Sequence, residues 1–207
     1  MIHKPKTKLG FLASARGTNM QAIIDACKTG GLPAQPVVVI SNNRNSGALG
    51  RARAEGIAGY HLSSSTYPDP EQLDRKIAAT LQEHGVEIVI LAGYMKKIGK
   101  HTLAAYKGRI LNIHPALLPK YGGAGMYGMH VHAAVLANRD RQSGATIHVV
   151  DAGYDSGPIL AQKTVIVAAT DTAETLSRKV LAIEHELYVA TLDRILKGEI
   201  QLSVRNK

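Results

Sequence analysis

The amino-acid sequence predicts a doubly wound α/β fold with a mostly parallel sheet. Short apolar runs alternate with segments whose apolar residues recur at helical spacing, which is the order of βαβ units. The run at 36–41 (PVVVIS) is almost wholly apolar, as expected for a strand buried on both faces of a parallel sheet. The 207 residues suffice for one well-packed domain and are few for two. We therefore treat residues 1–207 as a single domain.

The first half of the chain supplies regular strand and helix signals. The patterns predict strands at 8–14, 36–41, 58–62 and 86–92, and helices starting near 18, 47 and 70. Thr18 and Gln21 have the spacing of a capping box, which indicates where the first helix begins. Asp69 followed by Pro70 starts the third helix, because proline fits the first helical position.

The second half is less regular. The patterns predict strands at 109–113, 144–150 and 159–167, a glycine-rich loop at 121–129, and helices around 131–138 and from 171 onward. The last two strands can pair as a hairpin. Asp171 and Glu174 open the final helix. Glu184 borders its apolar stripe, so this carboxylate needs a buried partner or a ligand.

The turn between the first strand and the first helix, Ser14–Asn19, predicts an anion site. Backbone N–H groups at a helix N-terminus attract anions, and Gly17 permits a close approach. The turn matches neither the Walker A pattern nor the G-x-G-x-x-G dinucleotide fingerprint. An ordinary turn with a threonine cap is the alternative interpretation.

Asn112 and His114 follow a buried strand and point to the same side of it. A lone histidine at a strand end is more often a satisfied polar residue. Here an amide accompanies the imidazole, and both lie in a segment without acids. The pair therefore predicts a site that binds a carbonyl oxygen and moves a proton. Asp155 lies in a turn-rich loop between two later strands and could reach His114, where its charge would favour the imidazolium.

Charge is distributed unevenly along this chain of net charge +9. From Ile88 to Arg139 there is no Asp or Glu, while the basic residues are Lys96, Lys97, Lys100, Lys107, Arg109, Lys120 and Arg139. Such a region suits an anionic ligand or nucleic acid. Aromatic residues make up only 4% and Trp is absent, so we predict no stacking platform and no nucleic-acid partner.

Other patterns bear on metals and on location. His130 and His132 lack a nearby Cys or acid that would complete a ligand set, so we predict no metal. No apolar run approaches the roughly 18 residues of a membrane span. The basic N-terminus, Met1–Lys6, is not followed by a long apolar run and does not predict a secretory signal. The single cysteine, Cys27, agrees with a reducing compartment, and we predict the cytoplasm.

Taken together, these motifs resemble the phosphoribosylglycinamide formyltransferase family, folate-dependent enzymes of purine synthesis. The resemblance extends from Gly10 to about Tyr188. It is carried by Gly17-Thr18-Asn19-Met20-Gln21, Leu91-Ala92-Gly93-Tyr94-Met95, Leu111-Asn112-Ile113-His114-Pro115 with Leu117-Leu118-Pro119, Asp155-Ser156-Gly157-Pro158 and Glu184-His185. It implies a Rossmann-like fold, 10-formyltetrahydrofolate as the formyl donor and phosphoribosylglycinamide as the acceptor. The chain is expected to be a monomer or a homodimer.

The resemblance also implies a role for each motif. Gly17, Thr18 and Asn19 would hold the substrate phosphate, and Glu184 the sugar or glycinamide part. The pterin cleft would be formed by Met95, Lys96, Lys97, Ile98, Asp151, Ala152, Gly153 and Tyr154. Asn112, His114 and Asp155 would be the catalytic set. The N-terminal half would thus be phosphate-binding, and the C-terminal half folate-binding and catalytic.

The implied reaction is direct attack of the substrate amine on the formyl carbon. Asn112 and a protonated His114 would donate to the oxyanion, with Asp155 raising the pKa of His114. Two other classes remain open at this point. One is a related formyl enzyme, either a formyltetrahydrofolate hydrolase or a methionyl-tRNA formyltransferase-like domain. The other is a basic RNA-binding module without catalysis.

Overall fold

Strands and helices alternate along the chain in the computed structural model, which describes residues 5–202. The remainder, including Met1–Lys4 of the basic N-terminus, lies outside the described residues. The elements are β1 Thr7–Leu12, α1 Thr18–Lys28, β2 Ala34–Ser41, α2 Gly47–Ala54, β3 Ala58–His61, α3 Pro70–Glu83, β4 Ile88–Leu91, α4 Lys100–Ala105, β5 Ile110–His114, α5 Met129–Ala137, β6 Gln142–Val149, β7 Ile159–Ile166 and α6 Ala173–Leu196. The predicted order of elements is confirmed, with α4 as an addition.

One seven-stranded sheet runs in the order β3-β2-β1-β4-β5-β6-β7. The first five strands are parallel, whereas β6 is antiparallel to both β5 and β7. Apolar side chains of α1, α2, α5 and α6 cover one face of the sheet, and those of α3 and α4 cover the other. This confirms the doubly wound, mostly parallel sheet and the pairing of the last two strands.

The helix starts follow the predicted chemistry only in part. Asp69 caps α3 as expected, since its carboxylate accepts a hydrogen bond from the Glu71 N–H at 2.9 Å. The capping box predicted at Thr18 is wrong. Gly17 is the N-cap of α1, in the left-handed region with φ 69°, and no side chain caps the helix. A capping box instead forms at the start of α6, where Thr172 and Thr175 each accept a hydrogen bond from the backbone N–H of the other.

The local sequence pattern did not predict helix α4, because the side chain that caps this helix belongs to another helix. Asp74 of α3 accepts hydrogen bonds from the His101 N–H at 2.7 Å and the Thr102 N–H at 3.2 Å. A Cβ on Gly99 would lie 2.2 Å from the Asp74 carboxyl carbon, so only glycine allows this approach. Thus α4 orders the chain just after Met95–Ile98, a segment implied to contact folate.

Strand pairing places the polar side chains of β5 against those of β6. Asn112 lies directly opposite His148, and His114 opposite Thr146. The connection between β6 and β7 folds back so that Asp155 approaches both imidazoles. The carboxyl ends of β1, β4 and β5, which are neighbours in the sheet, therefore share one polar region.

Candidate active site

A cavity of about 740 Å³ opens at the carboxyl ends of β1, β4 and β5. Its walls are the turn after β1, the segment after β4, the end of β5, the glycine-rich loop, the β6–β7 connection and one side of α6. Every residue to which the family resemblance assigns a role lines this cavity, with the exception of Ala152. Ala152 is exposed and lies outside the lining. The sequence motifs, which are distant along the chain, thus converge on one space.

Asn112, His114 and Asp155 meet at one end of the cavity. His114 is buried, and its Nδ1 lies 3.4 Å from Oδ2 of Asp155. Its Nε2 lies 2.7 Å from the carbonyl oxygen of Tyr121. Because a carbonyl oxygen only accepts, Nε2 carries a proton, and the unprotonated nitrogen of the neutral ring is Nδ1, facing Asp155.

His148 joins the same cluster from the neighbouring strand. Its Nδ1 lies 3.1 Å from the Val149 carbonyl oxygen and therefore carries a proton. Its Nε2 lies 3.1 Å from Nδ2 of Asn112 and 3.4 Å from Oδ1 of Asp155. When Nε2 is unprotonated it accepts from the Asn112 amide, and when protonated it can donate to Asp155. One N–H of the Asn112 amide remains for a ligand.

Burial decides the protonation of His114. Burial lowers the pKa of His114 by more than the nearby Asp155 carboxylate and the Tyr121 carbonyl raise it. The expectation of a persistent imidazolium is therefore wrong, because the cost of burying its charge exceeds the stabilisation by its partners. With its pKa lowered from the ordinary value of 6.5, the ring is mostly neutral in the ligand-free protein near pH 7, and a neutral ring is able to accept a proton.

Asp155 keeps its negative charge. Burial alone would raise the pKa of its carboxyl, but His148, His114 and the N–H of Gly123 together hold that pKa below its ordinary value. The Gly123 N–H lies 3.0 Å from Oδ2. A proton taken up at Nδ1 of His114 would therefore lie against a carboxylate that is already ionised.

The turn after β1 forms the other end of the cavity. Gly17, Thr18 and Asn19 all line it, and α1 has neither a capping side chain nor an acidic residue in its first turn. Its first N–H groups thus remain available for an anion. A Cβ on Gly17 would lie 2.9 Å from that of Ala48, so glycine is required for packing as well as for its φ.

Glu184 closes this end from α6. It is buried, and Oε2 accepts a hydrogen bond from Nδ2 of Asn19 at 2.7 Å. Burial raises the pKa of Glu184 to about 7, against the opposing effect of the Asn19 hydrogen bond. The Oδ1 atom of Asn19 is buried without a hydrogen-bond partner. The pair therefore presents an unsatisfied acceptor and a carboxyl that can also donate.

The segment after β4 and the β6–β7 connection form opposite walls. Ile98 is buried, whereas Met95, Lys96 and Lys97 are exposed. The Lys97 ammonium lies 5.3 Å from the ring centroid of Tyr154, so a cation–π contact joins the two walls.

Asp151 shapes the wall formed by the β6–β7 connection. Its Oδ1 accepts hydrogen bonds from the Gly153 N–H at 3.0 Å and the Ser156 hydroxyl at 2.8 Å. These bonds fold the loop back on itself.

Sequence patterns assigned no individual role to several lining residues, among them Arg16, His132 and His148. Arg16 adds a cation beside the anion turn, and the glycine-rich loop 123–128 covers the cavity. His132 is buried, and its Nδ1 has no partner in the described structure. The weak His130-x-His132 motif was its only sequence signal. Within residues 5–202 no three His, Cys, Asp or Glu side chains cluster as metal ligands. The absence of a metal stays a prediction.

A family model, similar sequences and a solved structure all agree with the family resemblance seen in the sequence motifs. The family model described as Formyl transferase matches residues 7–192. The chloroplastic phosphoribosylglycinamide formyltransferase of Arabidopsis thaliana is 40% identical, over 96% of this chain and 69% of that protein. The phosphoribosylglycinamide formyltransferase of Escherichia coli (strain K12) is 36% identical, over 92% of this chain and 88% of that protein. The structure of glycinamide ribonucleotide transformylase 1 from Symbiobacterium toebii is 37% identical, with a TM-score of 0.90 over 98% of this chain and 93% of that one.

Proposed function

The chain belongs to the formyl transferase family, as a phosphoribosylglycinamide formyltransferase of purine biosynthesis, and we propose that Asn112, His114 and Asp155 carry out its chemistry. The donor in this proposal is 10-formyltetrahydrofolate, and the acceptor is the amine of 5-phosphoribosylglycinamide. The observation that supports this proposal most is that an amide, an imidazole and a carboxylate meet in one cavity, while the start of α1, without a capping side chain, lines its other end.

In this proposal the two substrates bind against different walls of the cavity. The phosphate binds the free N–H groups of Thr18 and Asn19 at the start of α1, with Gly17 allowing close approach. The ribose hydroxyls or the glycinamide bind Glu184, which can accept or donate. The phosphate-binding role thus falls mainly to the N-terminal half of the chain, with Glu184 contributed by α6.

The folate lies between the segment Met95–Ile98 and the loop Asp151–Tyr154. Lys96 and Lys97 offer positive charge to its carboxylates at the open side of the cavity. The formyl carbon then meets the amine beside Asn112 and His114. Catalysis and the Asp151–Tyr154 wall of the folate site accordingly fall to the C-terminal half of the chain, whereas Met95–Ile98 contributes the other wall from the end of the N-terminal half.

The chemical step is direct attack of the amine on the formyl carbon. Negative charge develops on the formyl oxygen, and the free N–H of the Asn112 amide donates to it. The proton released by the attacking nitrogen passes to Nδ1 of His114, and Asp155 stabilises the imidazolium that forms. The same proton then moves to the departing folate nitrogen. The His114 ring is therefore neutral at the start of the reaction and accepts the proton of the amine.

An acceptor competition assay tests this function. The purified chain is supplied with 10-formyltetrahydrofolate, with and without phosphoribosylglycinamide, and both formylated product and free formate are measured. We expect formylated product when the amine is present and only background formate without it. Formate release without formylated product would instead identify a hydrolase.

The proposal also covers partners and location. Both partners are small molecules, and no step involves nucleic acid or a membrane. In the part of the chain that the structure describes, no helix has the length and apolar character needed to cross a bilayer. We propose the cytoplasm as the location, because Cys27 is buried and free of any disulfide. Monomer and homodimer are separated by sedimentation equilibrium.

A further inference from the structure

The turn 121–123 lies against both members of the His114–Asp155 pair. We propose that Tyr121, anchored by Asp140 and Asn138, is a positioning residue that fixes the tautomer and orientation of His114. This inference rests on the proposed catalytic role of His114. It gives the first residues of the glycine-rich loop the role of positioning His114. The sequence patterns had assigned no role to this loop.

Tyr121 acts on His114 through its backbone. Its carbonyl oxygen lies 2.7 Å from Nε2 of His114, which places a proton on that nitrogen. In the neutral ring Nδ1 is consequently the free base, and it faces Asp155 at 3.4 Å. If the carbonyl moved away, Nδ1 and Nε2 would compete for the single proton. A ring protonated at Nδ1 could not accept the proton of the attacking amine there.

The backbone of Tyr121 needs support from its side chain. Its φ is 57°, in the left-handed region that residues other than glycine rarely adopt. The phenol hydroxyl donates to Oδ2 of Asp140 at 2.7 Å and accepts from Nδ2 of Asn138 at 2.9 Å. Asn138 is the C-cap of α5, and Asp140, two residues later, donates its N–H to the Val135 carbonyl oxygen of this helix, so both anchors are held at the helix end. The anchored phenol thereby holds the turn in this conformation.

The next two residues connect the turn to Asp155. The Gly123 N–H donates to Oδ2 of Asp155 at 3.0 Å. A Cβ on Gly122 would lie 2.6 Å from Cδ2 of Leu118 and 3.3 Å from Cβ of Asp155, so the turn is pressed against the site. Movement of the turn would therefore disturb the base and its carboxylate together.

Tyr121→Phe is the sharpest test, since it keeps the ring and removes only the hydroxyl anchor. Tyr60→Phe is the matched control, because it makes the same change on the edge strand β3, where the Tyr60 hydroxyl pairs with His84 at 3.1 Å outside the cavity lining. In ligand-free protein at about pH 8, ¹⁵N chemical shifts of His114 report which nitrogen carries the proton. We expect a single Nε2-protonated ring in the unmodified protein and in Tyr60→Phe, and a mixture of tautomers in Tyr121→Phe.

Kinetics provide the second readout. In Tyr121→Phe, kcat should fall about 10-fold while KM for both substrates stays unchanged, since misplaced catalytic groups affect the chemical step. Asp140→Ala should reproduce this fall. An unchanged tautomer in Tyr121→Phe, or an equal loss of kcat in Tyr60→Phe, would overturn the inference.

His114→Ala separates this inference from the proposed function. If His114→Ala abolishes transfer while Tyr121→Phe retains full activity and the Nε2 tautomer, only the positioning role fails. If His114→Ala itself transfers formyl groups at the unmodified rate, the proposed chemistry fails. The tautomer measurement stands in either case, because it needs no substrate.

Discussion

Glu184 and Asp155 line the same cavity, and their surroundings shift the pKa values of their carboxyl groups in opposite directions. Glu184, at the phosphate end, is buried with one hydrogen bond from the Asn19 amide, and its pKa rises to about 7. Asp155, at the catalytic end, is half-buried among His114, His148 and the Gly123 N–H, and its pKa is lowered. The surroundings of each carboxyl group, and not its residue type, therefore determine the direction in which its pKa shifts.

The difference explains what each end can do. An ionised Asp155 can stabilise an imidazolium as it forms, which the chemical step requires. A carboxyl that is half-protonated near pH 7, like Glu184, can accept from one sugar hydroxyl and donate to another. In the proposed function, chemistry relies on the permanent charge of Asp155, whereas substrate binding relies on the Glu184 carboxyl group, which can both accept and donate hydrogen bonds. Substitutions at the two ends should therefore change different kinetic constants.

The largest effect should come from removing the charge at the catalytic end. In Asp155→Asn the imidazolium of His114 loses its stabilising partner, so kcat should fall on the order of 100- to 10,000-fold. Steady-state kinetics with both substrates measure this. Asp25→Asn, on the exposed side of α1, is the control and should be unaffected. A kcat within a few-fold of normal in Asp155→Asn would remove Asp155 from the chemistry.

The loss of the oxyanion donor should rank next. Asn112→Ala removes the amide N–H that we assign to the formyl oxygen, and kcat should fall roughly 100- to 1000-fold. The KM for the ribosyl substrate should change little, because the phosphate binds at the far end of the cavity. Single-turnover kinetics isolate the transfer step. A change confined to KM would show that the amide binds substrate and does not stabilise the transition state.

At the binding end the clearest signature is the pH dependence of stability. The folded pKa of Glu184 is raised from 4.5 to about 7, so the native state holds an extra proton between these values. The free energy of unfolding should therefore fall as pH rises through this range, by about 3 kcal/mol.

Glu184→Gln should remove that slope, because glutamine does not titrate. Urea unfolding at a series of pH values measures the effect. Glu83→Gln, at the exposed end of α3, should leave the slope intact. Equal slopes in the unmodified protein and in Glu184→Gln would show that Glu184 titrates normally.

The smallest effect concerns the folate walls. Lys97→Met removes the cation–π contact with Tyr154, which is worth about 0.5–1 kcal/mol at an exposed site. KM for the folate should rise roughly 2- to 5-fold with kcat unchanged. Lys107→Met, an exposed lysine outside the cavity lining, serves as the control. If both variants bind folate equally well, the contact between the walls does not contribute.

The sequence predicted those features whose causes are local. The period of a strand puts Asn112 and His114 on one side, and Gly17 marks a close backbone approach. His148 was not assigned a role because its position opposite Asn112 depends on the register between β5 and β6. The α4 cap was missed because Asp74 lies 27 positions away from His101. The charge of His114 was predicted wrongly because burial depends on the whole fold.

Carboxyl ¹³C NMR titration of the ligand-free protein tests the central claim most directly. It follows Asp155 and Glu184 in the same sample, with each signal assigned by its Asn or Gln variant. We expect Glu184 to titrate near pH 7 and Asp155 to titrate below its ordinary value of 3.8. If both groups titrate at their ordinary values, or if Asp155 is the one with the raised pKa, the proposed division between binding and chemistry is contradicted.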